Sequence, residues 1–268
     1  MLVNGVSGNS ISIRDRGLLY GDGVFRTFPV RGGKPSHWSL HYRKLQHDCD
    51  ALGISCPDFG NLTAELDSLC ALHRDAVLKI VVTRGQSARG YAPDPDAEPS
   101  RLWDVFPLPD YPGEPDKSGV TLALCSLRLG HQPLLAGIKH LNRLENVLAA
   151  AECKNAAEGL MLDGDDRVIE GTRSNLFLVI DGRLITPDLS RCGVAGVQRD
   201  RVIRCASDRG IPVEVRDVLL DELLSADALF LTSSVFGLWP VARFEGKIWT
   251  EFIHAGQMRA WLSEADHG

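Results

Sequence analysis

The chain of 268 residues has no run of about 18 apolar residues, the minimum for a membrane-spanning helix, so no membrane span is expected. It has no basic excess either. Its 29 Lys and Arg stand against 35 Asp and Glu, a formal net charge of −6, whereas a general nucleic-acid binder carries a surplus of positive charge. Small anionic ligands are held by local charge, so these remain possible. The opening Met1-Leu2-Val3-Asn4-Gly5 lacks a basic segment followed by an apolar stretch, and no secretory signal is expected. The seven cysteines (Cys49, Cys56, Cys70, Cys125, Cys153, Cys192 and Cys205) are odd in number and form no C-x-x-C pair. That predicts reduced core thiols in a cytoplasmic protein. His37 and His41 are four apart without the glutamate of an H-E-x-x-H motif, so no metal centre is expected. Neither a G-x-S-x-G elbow nor a Walker loop is present.

What is present reads as a globular α/β or α+β protein, with 44% hydrophobic and 24% charged residues. The length suits one large or two moderate domains. Residues 107–118 are dense in proline, aspartate and glycine, which suits a linker rather than a helix or central strand. The expected division is an N-terminal α/β domain over 1–108, a linker over 109–119 and a C-terminal α/β domain over 120–268. In the first domain, strands are expected at Leu2–Val3, Ser10–Ile13 and Ala76–Thr83. One helix is expected from an N-cap at Ser39 to Gly53, and another from Asn61. In the second, a strand is expected at Val120–Leu127 and a helix over Arg143–Glu158, with Leu144, Val147, Leu148 and Ala151 on one face. Hairpins are expected over 160–170 and 175–186, and a glycine-marked turn leads into a helix ended by Gly210. Residues 211–215 and 228–232 read as further strands.

Four segments could carry chemistry. Among seven lysines, Lys139 stands out in Leu134-Leu135-Ala136-Gly137-Ile138-Lys139-His140-Leu141, where apolar surroundings would favour the neutral, nucleophilic amine. A surface lysine with its stem on apolar neighbours would look the same. Glu170 ends an apolar strand before Gly171, where it could face a ligand or simply water. Gly193-Val194-Ala195-Gly196-Val197-Gln198 precedes a helix and could offer free N–H groups to a phosphate, though a lone G-x-x-G is a weak signal. Thr232-Ser233-Ser234 could add hydroxyl donors after a strand.

In this order the segments resemble the class IV (branched-chain and D-amino-acid aminotransferase-like) family of pyridoxal-phosphate (PLP) enzymes. The similarity extends to Asp15-Arg16-Gly17 with Tyr20-Gly21-Asp22-Gly23-Val24-Phe25, to His41-Tyr42-Arg43-Lys44-Leu45, to Thr83-Arg84-Gly85 with Arg89-Gly90-Tyr91, and to Arg128-Leu129-Gly130. It continues through Leu135–Glu145, Glu170-Gly171 with Ser174-Asn175-Leu176-Phe177, and Gly193–Gly196 with Arg199. The lysine run and the Arg-Gly-Tyr element are similar to a lyase subgroup.

The resemblance implies a two-domain fold type IV enzyme with PLP between the domains. Lys139 would hold the cofactor covalently and shuttle the substrate proton, and Glu170 would face the pyridine nitrogen. Gly196, Val197 and Gln198 through N–H groups, and Ser234 through its hydroxyl, would bind the phosphate. The family's His-x-x-Arg-Leu motif carries Lys44 here in place of the arginine, with Arg43 beside it. Either could be the phosphate clamp, but a lysine is a point charge without a bidentate fork. Arg89, Tyr91 and Thr27 are the candidates for substrate binding, and Arg199 is either functional or a helix-surface residue. The implied reaction is conversion of 4-amino-4-deoxychorismate to p-aminobenzoate and pyruvate in folate synthesis. The alternatives are a D-amino-acid or branched-chain aminotransferase and, more remotely, a non-catalytic binder. The implied partners are a small-molecule substrate and a second copy in a homodimer, with no nucleic acid and no membrane.

Overall fold

A computed structural model describes residues 1–266. His267 and Gly268, the end of the expected C-terminal domain, lie outside the described residues. The chain divides into two compact units, Met1–Pro109 with Ile138–Asn142, and Asp110–Gly137 with the chain from Arg143 onward. The pentapeptide around Lys139, which the sequence reading assigns to the C-terminal part, thus groups with the first unit. Among the described residues no helix is long and apolar enough to cross a membrane.

The first unit contains β1 (Leu2–Val3), β2 (Val6–Ser7), α1 (Arg16–Tyr20), β3 (Gly23–Arg31), β4 (Lys34–Pro35), α2 (Trp38–Leu52), α3 (Phe59–Leu72), β5 (Ala76–Thr83) and β6 (Ser100–Phe106). The strands form an antiparallel sheet in the order β2-β1-β6-β5-β3-β4. Strand β3 pairs with β5 from Gly23 opposite Thr83 to Val30 opposite Ala76. Its alternation sends Val24, Phe28 and Val30 into a core with Leu45 and Cys49 of α2 and Leu62, Leu66 and Leu69 of α3. A slip of one residue would turn that apolar set to the other face, so burial fixes the register.

Three local expectations are corrected here. Ser10–Ile13 is not a strand. The Ser12 hydroxyl and carbonyl take the N–H groups of Arg14 and Asp15, closing a turn, and Ile13 is 80% exposed with nothing to pack on. Helix α2 starts at Trp38, not after Ser39, because the Trp38 ring enters the core and its Nε1 donates to Thr63 Oγ1 at 2.9 Å. Helix α3 is capped by Asp58, whose carboxylate accepts the N–H groups of Gly60 and Asn61, so Asn61 lies within the first turn.

The second unit contains α4 (Pro115–Ser118), β7 (Val120–Leu129), α5 (Leu144–Glu152), β8 (Glu158–Asp163), β9 (Val168–Gly171), β10 (Asn175–Ile180), β11 (Arg183–Pro187), α6 (Val197–Asp208), β12 (Val213–Arg216), α7 (Leu220–Ser225), β13 (Ala228–Ser233), β14 (Gly237–Phe244), β15 (Lys247–Ile248) and α8 (Ile253–Glu264). Its mixed sheet runs β12-β11-β10-β13-β14-β7-β8-β9, with β15 on β14. After Asn175, strand β10 is apolar because both of its faces are covered. Leu176 and Leu178 enter one core, and Phe177 and Val179 enter another with Val202 of α6 and Met258 of α8.

Helix α5 is shorter than its periodicity suggests. It ends at Glu152, the Ala157 N–H donates to Thr121 O, and Glu158 pairs with β7 as the first residue of β8. The buried Glu158 carboxylate then accepts from Thr172 and Ser174, bonds that a helical position would forfeit. The apolar face expected of α5 is also not buried within the chain: Leu144 is 75% exposed and Val147 and Leu148 are each 60% exposed. The opposite side, at Ala149, packs instead beside Met161 and Ile169.

Candidate active site

In the first unit, Lys139 lies on a short segment laid along β3. Its carbonyl accepts the Phe25 N–H at 3.0 Å, and the Leu141 N–H donates to Gly23 O at 2.9 Å. The Lys139 N–H goes elsewhere, to Asp48 Oδ2 of α2 at 3.0 Å. The Lys139 ammonium stands over the Phe25 ring, 4.6 Å from its centroid, and Lys79 stands over the same ring at 4.8 Å. Lys79 is directly opposite Thr27 in the β3–β5 register, and Phe25 and Thr27 share a strand face, so one sheet face carries both amines and the Thr27 hydroxyl. In the sequence Lys79 is a single lysine within the apolar run Ala76–Thr83, and no local pattern marks it.

The helix α2 separates the two clamp candidates. Lys44 is half-buried and lies one turn from both His41 and Asp48, which are buried, whereas Arg43 is exposed. The Arg-Gly-Tyr loop is fastened from inside the unit. The buried Arg16 donates to Ser87 Oγ, Gly90 O and Tyr91 O at 3.0, 3.0 and 2.8 Å, and pairs with Asp22 at 2.7 Å. Asp15, fully buried, ties the start of α1 to Thr83 and Ser100. Gly17 is required there, because a Cβ would collide with the Thr83 side chain. Arg89 and Tyr91 themselves are exposed, Tyr91 at 85%.

In the second unit, Glu170 on β9 is buried, and its Oε2 accepts the Val194 N–H at 2.9 Å and Asn175 Nδ2 at 3.4 Å. Asn175 also donates to Val194 O at 2.8 Å and accepts the Gly196 N–H at 3.1 Å. One buried amide thus links the carboxylate to both ends of the glycine loop. Asn175 was legible only as part of a matched segment, with no role attached. Gly193 has φ +87°, and a Cβ on it would meet Ile169 at 2.8 Å. The Gly196 cap of α6 supplies no side-chain acceptor, so first-turn N–H groups of Val197 and Gln198 are presented without a cap. Arg199 is not a surface residue: it is buried and donates to Thr186 Oγ1 and Pro187 O, bracing the loop before it. Burial pulls its pKa down from the ordinary guanidinium value, and Asp200, Asp188 and Glu170 oppose that pull. Ser234 lies half-buried in the turn after β13.

His131, Asp163 and Cys192 have ligand atoms within 4.8 Å of one another, a spacing a metal ion could use. The chemistry is wrong for it. Arg167 Nε pairs with Asp163 at 2.8 Å and its Nη2 lies 3.4 Å from His131 Nε2, so a cation already occupies the carboxylate. Burial, with Asp163 and Glu170 nearby, pushes the Cys192 thiol up to about 12, so it stays neutral.

Comparison with known proteins matches the model of the Amino-transferase class IV family over residues 23–244. The chain belongs to the class IV aminotransferase family. Class IV enzymes depend on PLP. The chain is 37% identical to an aminodeoxychorismate lyase of Vibrio harveyi over 242 residues, covering 90% of this chain and 89% of that one. It is 33% identical to a putative branched-chain-amino-acid aminotransferase of Methanocaldococcus jannaschii, covering 89% and 84%. The crystal structure of a 4-amino-4-deoxychorismate lyase from Pseudomonas aeruginosa superposes with a TM-score of 0.94 at 46% identity, covering 98% of each chain. The expected mixed α and β, fold type IV class is therefore observed in a class IV chain.

Proposed function

We propose that the protein is a PLP-dependent lyase that converts 4-amino-4-deoxychorismate to p-aminobenzoate and pyruvate. The observation that carries this reading is the likeness over 98% of both chains to the Pseudomonas aeruginosa lyase. The residues present fit the cofactor. A buried carboxylate is oriented by two donors, a glycine loop is kept free of side chains where a Cβ would collide, and a helix start without a side-chain cap follows it. Lys139 would hold the group covalently, Glu170 would keep a proton on its pyridine nitrogen, and Val197, Gln198, Ser234 and Lys44 would hold its phosphate. When bound, PLP withdraws electrons from the amine-bearing carbon of the substrate. Lys139, its amine freed when the substrate amine replaces it, would take the proton from that carbon. The C–O bond to the enolpyruvyl group would break, its electron pair leaving with the oxygen, and protonation of the departing enolate at its methylene carbon would give pyruvate. The ring left behind is aromatic, and no second substrate is consumed.

Lys79 and Thr27 share a strand face with Phe25, on which the Lys139 ammonium stands, and Lys79 suits a substrate carboxylate. Lys79→Ala is expected to raise KM about tenfold or more with a smaller change in PLP binding, as loss of a charge-assisted hydrogen bond would. Lys44 is the better clamp, since Arg43 is exposed. In a spectroscopic PLP titration, Lys44→Ala should weaken binding by about tenfold and Arg43→Ala by little; no effect of either would mean that the phosphate is held elsewhere.

The protein is proposed to act as a cytoplasmic homodimer. Exposed Leu144, Val147 and Leu148 lie at i, i+3 and i+4 on α5 and form an apolar stripe that a second copy would cover. The exposed Arg89 and Tyr91 would then complete the partner's substrate pocket. Val147→Glu with Leu148→Glu is expected to give a monomer by light scattering, and a dimer that survives both would place the interface elsewhere.

The deciding experiment supplies 4-amino-4-deoxychorismate to the PLP-loaded protein without an amino acceptor and follows p-aminobenzoate by fluorescence. Product formation supports the lyase. Absence of product with an intact PLP absorbance band would favour an aminotransferase, to be sought among D- and branched-chain amino acids, in line with the 33% identity to the Methanocaldococcus protein.

A further inference from the structure

Lys139 acts through its amine, but its main-chain N–H is held by Asp48, which is itself paired with Arg26, and neither residue has been assigned a role. Asp48 is fully buried, and its Oδ2 accepts both the Lys139 N–H, at 3.0 Å, and a hydrogen bond from the buried Arg26. The same Arg26 Nη2 donates to Lys44 O at 3.1 Å, one helical turn before Asp48. His47, largely exposed, reaches the other oxygen of Asp48 at 3.3 Å. Strand β3 takes the Lys139 carbonyl but not its N–H, so Asp48 supplies the acceptor that the strand pairing leaves out.

We propose that the Arg26–Asp48 ion pair is a positioning device that sets the cofactor lysine, Lys139, against the phosphate clamp, Lys44. The inference rests on the functional reading above. A buried ion pair gains little stability over a well-packed apolar pair of similar volume, because desolvation cancels much of the attraction. Packing alone therefore gives no reason for two charges under β3. A shared carboxylate does something that an apolar pair cannot. It fixes the Lys139 backbone directly, and through Arg26 it fixes the helix turn that carries Lys44. Arg26 lies between Phe25, under the Lys139 ammonium, and Thr27, so movement of the pair would shift the lysine and the residues around it together.

The test separates positioning from stability. The double variant Arg26→Leu with Asp48→Leu removes both charges, and Asp48→Asn keeps an oxygen acceptor for the Lys139 N–H while breaking the ion pair. Thermal melting, PLP titration by absorbance, borohydride trapping of the lysine with peptide mass analysis, and kcat against KM would be measured for both and for wild type. The double variant is expected to melt close to wild type, to bind PLP at least about tenfold more weakly and to trap more slowly. Asp48→Asn should lose less PLP affinity than the double variant even where it melts lower, since the buried Arg26 loses its carboxylate counter-charge in it. The inference is overturned if the double variant binds and traps PLP like wild type, or if affinity across the variants only follows the melting temperature. Should the double variant not fold, Asp48→Asn decides: PLP affinity falling as far as its stability does would overturn the inference. A wild type that takes up no PLP would overturn the functional reading itself, and this inference with it.

Discussion

Lys139→Ala is expected to abolish covalent PLP attachment and to lower p-aminobenzoate formation by about a thousandfold or more, since one side chain is both the attachment point and the proton carrier. The protein should remain folded. The main-chain bonds of residue 139, to Asp48 and from Phe25, do not depend on the side chain. The ammonium over the Phe25 ring is lost, an interaction of about 0.5–2 kcal/mol. A melting curve close to wild type, a protein that borohydride cannot label, and a flat fluorescence trace are the three expected observations. Lys139→Arg sharpens the test, because it keeps the charge over Phe25 but offers no amine nucleophile, and it should be as inactive as the alanine variant. Full turnover in either variant would remove Lys139 from the chemistry and with it the whole scheme.

Lys139 and Glu170 were visible in the sequence only through their order among other segments. Taken singly, a lysine among apolar residues and a glutamate before a glycine describe many sites of no function. Strand β5 was more legible, because a continuous apolar run leaves its pattern within a few residues, whereas β3 at Gly23–Arg31 was not among the expected strands. What was hidden is what depends on distance along the chain. Asp48 meets Lys139 across 91 positions, and nothing local to α2 marks it as more than a charged residue on a helix. Lys79 owes its place to the β3–β5 register, and Asn175 owes its own to a loop some 20 residues later. The α5 stripe failed in a different way. Its periodicity placed Leu144, Val147, Leu148 and Ala151 on one helix face without saying what covers it, and the structure leaves Leu144, Val147 and Leu148 exposed. Periodicity shows that a face is apolar and says nothing of which molecule covers it. Arg199 shows the converse: a charged residue on a helix was given the surface as one option, whereas two oxygens of the β11 end draw it inside.

Glu170→Gln is expected to lower kcat by about a hundredfold or more while PLP attachment and the fold persist, which separates electron withdrawal from cofactor binding. Glutamine has nearly the same shape, and its amide oxygen can still accept the Val194 N–H that Glu170 Oε2 now accepts at 2.9 Å. It carries no negative charge, so it does not favour a proton on the pyridine nitrogen, and proton removal by Lys139 loses its main stabilisation. Binding of substrate places no such demand, so KM should change far less than kcat. Glu170→Ala adds a second effect, because Val194 and Asn175 would lose a shared acceptor at a buried site, at a cost of about 1–3 kcal/mol. The glutamine variant is therefore the diagnostic one. If its kcat equals that of wild type, Glu170 is only the orienting end of a hairpin strand, and the acid that holds the nitrogen proton must be found elsewhere. If Lys139→Ala loses the covalent label and Glu170→Gln keeps it while both lose turnover, the two residues act at different atoms of one reaction, and a binding protein built on this fold would have no use for the second of them.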